Sequence, residues 1–234
     1  MPEHTLKQFD TELEALRSRV LQMGGLVEEQ IVRAIDSLAT GNVSLAQRVV
    51  EDDHRVNALE VAIDEECSTI IARRQPAAVD LRMIMMVVKT ITDLERIGDE
   101  AAKIARMAQL IHQAERPFVP RTAEIRHVAD LALAMLRHAL DAFARLDLAV
   151  AAKVVRQDER VDDAFRGILR QLITFMMEDP RTISSSIEIL FTAKAIERIG
   201  DHAKNMSEYV VYMVKGKDVR HTGVEGIERE ALTP

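Results

Sequence analysis

Leu94-Glu95-Arg96-Ile97-Gly98-Asp99 recurs as Ile196-Glu197-Arg198-Ile199-Gly200-Asp201, 102 positions further along a chain of 234 residues. The likeness spreads outward from this pair. Val49-Val50 through Arg55-Val56 returns as Val154-Val155 through Arg160-Val161, 105 positions on; Asn42 and Asp147 share that spacing, and Pro76 and Pro180 lie 104 apart. Self-similarity at one long period marks a duplicated unit. Each half carries three long segments whose apolar residues recur at three and four, the helical spacing. They predict helices at about 5–40, 43–73 and 78–113, then at about 121–146, 148–177 and 182–215. Gly41-Asn42 closes the first and supplies an N-cap to the second, and Asp147 plays that part before the fifth. Pro76 and Pro180 end helices two and five, because proline cannot donate the next hydrogen bond and disfavours the α conformation before it. The expected fold is all-α: two tandem antiparallel three-helix bundles, 1–115 and 116–215, linked through Glu115-Arg116-Pro117-Phe118-Val119-Pro120. A polar, glycine-containing stretch over 216–234 reads as a loose tail.

Composition agrees. Tryptophan is absent and aromatics are 3%, which argues against most all-β folds. Cys67 is the single cysteine, so the chain has no internal disulfide, and a reducing, cytoplasmic setting is expected. Met1-Pro2-Glu3-His4 lacks the basic-then-apolar signature of a signal peptide, and no apolar run reaches the ~18 residues of a membrane span. A formal net charge of −7 turns the chain away from nucleic acid and acidic lipid. Proteins and cations are the partners to expect.

Carboxylates then stand out by their placement. At about 100° per residue, Ile84, Met85 and Val88 fall within roughly 60° of Leu81 as an apolar stripe, and Glu95 and Asp99 continue it. In the last helix Ile183, Ile187 and Leu190 make the stripe that Glu197 and Asp201 continue. Height gives a second constraint. Asp53 and Asp99 each lie 23 positions from Pro76, and Asn57 and Glu95 each lie 19; Asp158 with Asp201, and Asp162 with Glu197, are level about Pro180 to within one position. Helix two also carries Glu60, which with Asp53 and Asn57 makes one polar stripe. A cluster of partly desolvated carboxylates has three physical resolutions: protonation, pairing with cations such as Arg55, Arg96, Arg160, Arg198 or Lys194, or a metal ion. All-oxygen donors suit hard ions, iron, manganese or carboxylate-bound zinc. The residues alone leave the three open.

Other signals are weaker. Glu51-x-x-His54 and Glu124-x-x-His127 have the spacing of a carboxylate-bridged di-iron bundle enzyme, but Arg156 and Glu159 replace the first pair in the second half. There is no phosphate-cradling Gly-rich loop, nucleophile elbow or zinc-protease string. Met83, Met85, Met86, Met176 and Met177 read as core filling. Arg73-Arg74-Gln75-Pro76 and Asp80-Leu81-Arg82 place charge at a hairpin tip, where capping and solvation account for it.

The twin Glu-Arg-Ile-Gly-Asp strings resemble the PhoU family, regulators of the bacterial high-affinity phosphate transport system. Met23-Gly24-Gly25-Leu26-Val27-Glu28-Glu29-Gln30, Arg74-Gln75-Pro76, Asp93 through Asp99 and Ile196 through His202 carry the likeness, which covers nearly the whole chain. The resemblance implies two three-helix bundles and acidic motifs that hold multinuclear iron or zinc. Those motifs fall on Glu95 and Asp99, Glu197 and Asp201, Asp158 and Asp162, and Asp53 and Asn57. Asn57 departs from the acidic pattern, so the first group is expected to be the weaker cation site unless Glu60 supplies the missing charge. The resemblance further implies a non-enzymatic negative regulator: a cytoplasmic homodimer joining the phosphate transporter's ATPase subunit to a sensor histidine kinase, with no nucleic-acid partner and with the membrane reached only through those partners. The competing classes are a metal-dependent carboxylate-bundle enzyme and a purely structural helical module.

Overall fold

The computed structural model describes residues 2–113, 122–219 and 222–232. Each half begins with a long helix, α1 (Pro2–Thr40) and α5 (Thr122–Arg145). The first half continues through α2 (Val43–Asp52), α3 (His54–Arg74) and α4 (Ala78–Gln113), the second through α6 (Leu148–Glu178), a 3-10 turn (Pro180–Thr182) and α7 (Ile183–Lys215). No strand occurs among the described residues. The expected caps are in place. Gly41 takes φ +69°, the Asn42 side chain accepts from the Leu45 N–H, and Asp147 accepts from the N–H groups of Ala149 and Val150. At the first hairpin Gln75, in the left-handed conformation, closes α3 just before Pro76. The linker expected at 115–120, and with it the 115/116 boundary, lies outside the described residues.

The helix expected over 43–73 is interrupted at Asp53, although its dihedrals stay helical (φ −58°, ψ −33°). His54 Nδ1 donates to the Glu51 carbonyl at 2.5 Å and so competes for an acceptor of the ladder, while Val56 N–H bonds to the Asp53 carbonyl in the tighter i+3 pattern. Glu159 stands at the equivalent of His54, and α6 runs unbroken. A second correction concerns the tail. Residues Gly223–Leu232 form a helix, α8, which packs on α6 and α7. Val219, Ile227 and Ala231 are buried there and Val224 packs beside them; Val224, Ile227 and Ala231 recur at i, i+3 and i+7, a short helical stripe set among glycines and charges, and Arg156 of α6 binds Glu228 at 2.5 Å.

A single apolar core runs through both halves, from Leu16, Met23 and Ile31 of α1 to Phe143 of α5 and Ile199 of α7. The halves meet along two antiparallel seams. Between α1 and α5, Arg137 pairs with Glu28 at 2.5 Å and Arg126 with Asp36 at 3.1 Å, and Gly24 lets Leu140 approach so closely that a Cβ there would stand 2.6 Å from its Cδ2. Between α4 and α7, His202 Nδ1 lies 2.6 Å from Asp93 and Arg198 2.9 Å from Glu100, both acids being 6% exposed. Asn205 donates to Asp93 as well.

The apolar stripes through Leu81 and Ile183 are only partly core: Ile84 is fully buried, and Val88 and Leu190 pack against the core. Leu81, Met85, Ile183 and Ile187 are 38–42% exposed, and Met177 is 80% exposed. The covered face of α4 runs through Ile84, Val87, Ile91 and Leu94, and periodicity alone does not say which apolar arc a neighbour covers. Met83 and Met86 are core, as expected, whereas Met85 and Met177 face water.

Two measurements check this packing. Phe143→Ala empties the centre of the shared core and should lower stability by about 3–5 kcal/mol in chemical denaturation. Ile227→Asp should release α8, giving proteolytic cleavage beyond residue 215 while the thermal transition of the body is kept.

Candidate metal centre

Glu95 and Asp99, one turn apart on α4, share a face with Arg96 and Thr92, and α3 brings Glu60 and the break residue Asp53 against it. The charges act on one another: burial and then the like charges of Asp99, Glu60 and Asp53 raise the Glu95 pKa against the opposing pull of Arg96. Burial also raises Asp53, opposed by the Gln30 hydrogen bond and helped by Asp99. In the second half, burial and the charges of Glu197, Asp158 and Asp162 push Asp201 up to about 6, with Lys194 opposing. The eight carboxylates expected from sequence are thus gathered into two groups of four. Asn57 sits exposed on the outer side of α3 and contributes no charge.

Because α4 and α7 run antiparallel with Asp93 opposite His202 and Glu100 opposite Arg198, Glu95 is level with Asp201 and Asp99 with Glu197. The approximate twofold that relates two such helices keeps their outward arcs on one side. Both acidic groups therefore lie on one face of the molecule, on either side of the α4/α7 seam.

Cation pairing differs between the groups. In the second, Lys194 Nζ sits 2.5 and 2.6 Å from the two oxygens of Glu197, Lys204 Nζ 2.7 Å from Asp158 Oδ2, and Arg166 3.4 Å from Asp162. Burial works against the charge on Lys204, but its hydrogen bond to Asp158 and the charges of Asp158, Glu208 and Asp201 hold its pKa above the ordinary value. In the first group, Arg96 approaches Glu95 at 3.7 Å and Gln30 Nε2 donates to Asp53 at 3.1 Å. Arg198, expected beside the second group, turns to Glu100 of the other half instead. Gln30, Arg166 and Lys204 were invisible to a search for acidic spacing; their signal is that the halves differ at these positions, with Met135, Val61 and Ala102 as counterparts.

Each group retains an unsatisfied buried oxygen. Asp158 Oδ1 in the second group and Gln30 Oε1 beside Asp53 in the first have no hydrogen-bond partner, and both residues are 6% exposed. Orphaned lone pairs among carboxylates are the donor set an oxophilic or borderline cation uses, so the chemistry fits a metal ion. As placed, no three His, Cys, Asp or Glu side chains among the described residues converge on one ion-sized point; closing a shell requires the carboxylates to turn inward. The Glu-x-x-His strings do not assemble: His54 is spent on the Glu51 carbonyl, and Gln171 holds Glu124 at 3.2 Å. Buried Cys67, its thiol pushed up to about 12 by burial and the charges of Asp64 and Glu66, is no ligand either.

The raised Asp201 sets a pH test. An acid with a higher pKa folded than unfolded binds more protons in the folded state, so stability falls as pH rises from the ordinary carboxylate range towards 6. Carboxyl NMR of the metal-free protein should place the Asp201 midpoint near 6, and Asp201→Asn should flatten the stability slope between pH 4 and 6.

The family described as PhoU domain matches twice, at residues 20–108 and 125–210. A phosphate-specific transport system accessory protein PhoU homolog from Pseudomonas putida is 48% identical over 98% of this chain and 90% of its own length. The phosphate-specific transport system accessory protein PhoU of Escherichia coli K12 is 46% identical over 97% of this chain and 93% of its own. The crystal structure of PhoU from Pseudomonas aeruginosa superposes with a TM-score of 0.85 at 48% identity, covering 89% of this chain and all of that one. That of the phosphate transport system regulatory protein PhoU from Streptococcus pneumoniae gives 0.84 at 28% identity, covering 90% and 99%. With the family model matching both repeats and relatives 46–48% identical over nearly the whole chain, the chain belongs to the PhoU family.

Proposed function

We propose that this protein is a negative regulator of phosphate uptake and of phosphate-starvation signalling. It works as a cytoplasmic, homodimeric adaptor between the phosphate transporter's ATPase subunit and a sensor histidine kinase. The observation that carries this reading is similarity over nearly the full length to proteins named as accessory to phosphate-specific transport. The geometry supports it. Two bundles fused through one core present long helical faces at a fixed separation, and the exposed Leu81, Met85, Ile183 and Ile187 leave apolar surface on those faces for protein contact. No helix among the described residues is long and apolar enough to cross a membrane, which suits a protein that meets the bilayer through its partners.

Metal ions, iron or zinc, belong to the same proposal. Asp53, Glu60, Glu95 and Asp99 would hold metal in the first half, and Asp158, Asp162, Glu197 and Asp201 in the second. A bound ion supplies positive charge that joins α3 to α4, or α6 to α7, through their carboxylates. The chain's own part is to fix these oxygens on helices whose spacing the core sets, and to keep them partly out of water so that a cation is held firmly.

Deleting the gene should switch phosphate-starvation genes on in phosphate-rich medium, and the tagged protein should co-purify with the transporter ATPase or the kinase. Normal repression without the protein would defeat the proposal.

A further inference from the structure

The two acidic groups descend from one duplicated unit, yet they have not kept the same balance of charge. Each cation that touches an acid of the second group lacks a charged counterpart in the first. Lys194, on Glu197, corresponds to Thr92; Lys204, on Asp158, corresponds to Ala102; Arg166, 3.4 Å from Asp162 and 2.8 Å from Asp163 beside the group, corresponds to Val61. Asp162 itself corresponds to Asn57, so one carboxylate and its arginine differ together. Phe165 stands where the first half has Glu60, and the Lys194 ammonium lies 5.5 Å from the centre of its ring, a cation–π contact that fixes the lysine over the group. The second half thus has a cradle for an ammonium where the first has another acid. The first group retains Arg96, 3.7 Å from Glu95 and largely in solvent, and beside it the orphaned Gln30 Oε1.

We infer that the duplicated acidic groups have divided their roles: the first, around Asp53, Glu60, Glu95 and Asp99, takes an external divalent cation, while the second is neutralised by the chain's own Lys194, Lys204 and Arg166. This reverses the order that Asn57 suggests from sequence. Four carboxylates with Arg96 3.7 Å from Glu95, and with Arg106 and His54 acting on Asp53 from beyond ion-pair distance, leave a net negative local potential for a divalent ion to occupy. In the second group an arriving ion must first displace ammonium groups already bonded to Glu197 and Asp158.

The inference rests on the reading that these groups bind metal, and the test separates the two. Zinc and manganese are titrated into the metal-free, full-length protein by calorimetry, with bound metal counted by elemental analysis. The variants are Glu95→Gln with Asp99→Asn, Glu197→Gln with Asp201→Asn, and Lys194→Thr with Lys204→Ala, each nearly isosteric or borrowed from the other repeat. The first pair should weaken the tightest binding by more than about tenfold, the second should leave it within about twofold, and the lysine pair should add binding capacity that the parent lacks. Tight binding lost only with Glu197 and Asp201, or lost equally with either pair, overturns the division of roles while leaving metal binding intact. Absence of binding in the parent and in every variant overturns the metal reading itself. Thermal melts of each variant register any loss of folding, and reciprocal Thr92→Lys with Ala102→Lys should lower the parent's affinity by a similar factor.

Discussion

The antiparallel contact between α4 and α7 is the constraint on which the rest of the molecule depends. Asp93 with His202 and Glu100 with Arg198 cross it with both acids nearly buried, although the Arg198 side chain reaches solvent, and a buried acid left unpaired costs several kcal/mol. A slide of one helix along the other by a turn would break both pairs at once, so the contact has one register. That register sets the heights of everything the two helices carry, and it puts the acidic groups of both repeats on the same face.

The seam also shows what duplication left unequal. Ala195 is the counterpart of Asp93, and His202 is the counterpart of Glu100, so each polar pair across the seam uses at least one residue that the repeats do not share, although Arg198 matches Arg96. A perfectly symmetric seam would have set Arg96 against His202, two bases, and Asp93 answers that conflict by accepting from His202 instead. Lys89 adds a further asymmetric contact, lying between 5.4 and 5.6 Å from the ring centres of Tyr209 and Tyr212. The repeats therefore differ where the halves meet and at the cations beside the carboxylates, while Asp53, Glu95 and Asp99 are matched by Asp158, Glu197 and Asp201.

Much of this was legible beforehand. Asn42, Asp147, Pro76 and Pro180 act through local backbone chemistry, which a sequence displays directly. The levels of Asp53 with Asp99 and of Asp158 with Asp201 follow from counting outward from a short hairpin, since rise per residue is the same in both arms. The counting failed where a competing bond or a neighbour decided the outcome. His54 drawing on the Glu51 carbonyl divided α2 from α3. A stripe of only three apolar residues, Val224, Ile227 and Ala231, sufficed to dock α8 because α6 and α7 already offered a surface. Leu81 and Ile183 looked like core because an apolar arc has the same period whether or not anything covers it.

Sequence by itself determined the long helical segments, the duplication and which acids belong together, because those follow from periodicity, capping and hairpin length, all properties of a chain taken a few turns at a time. Tertiary structure alone decided that the two bundles share one core, that both acidic groups face the same way, and which cation sits on which acid. Those outcomes depend on distances between residues about a hundred positions apart, and a lysine or arginine chooses among several acids only once packing has set which of them is within reach.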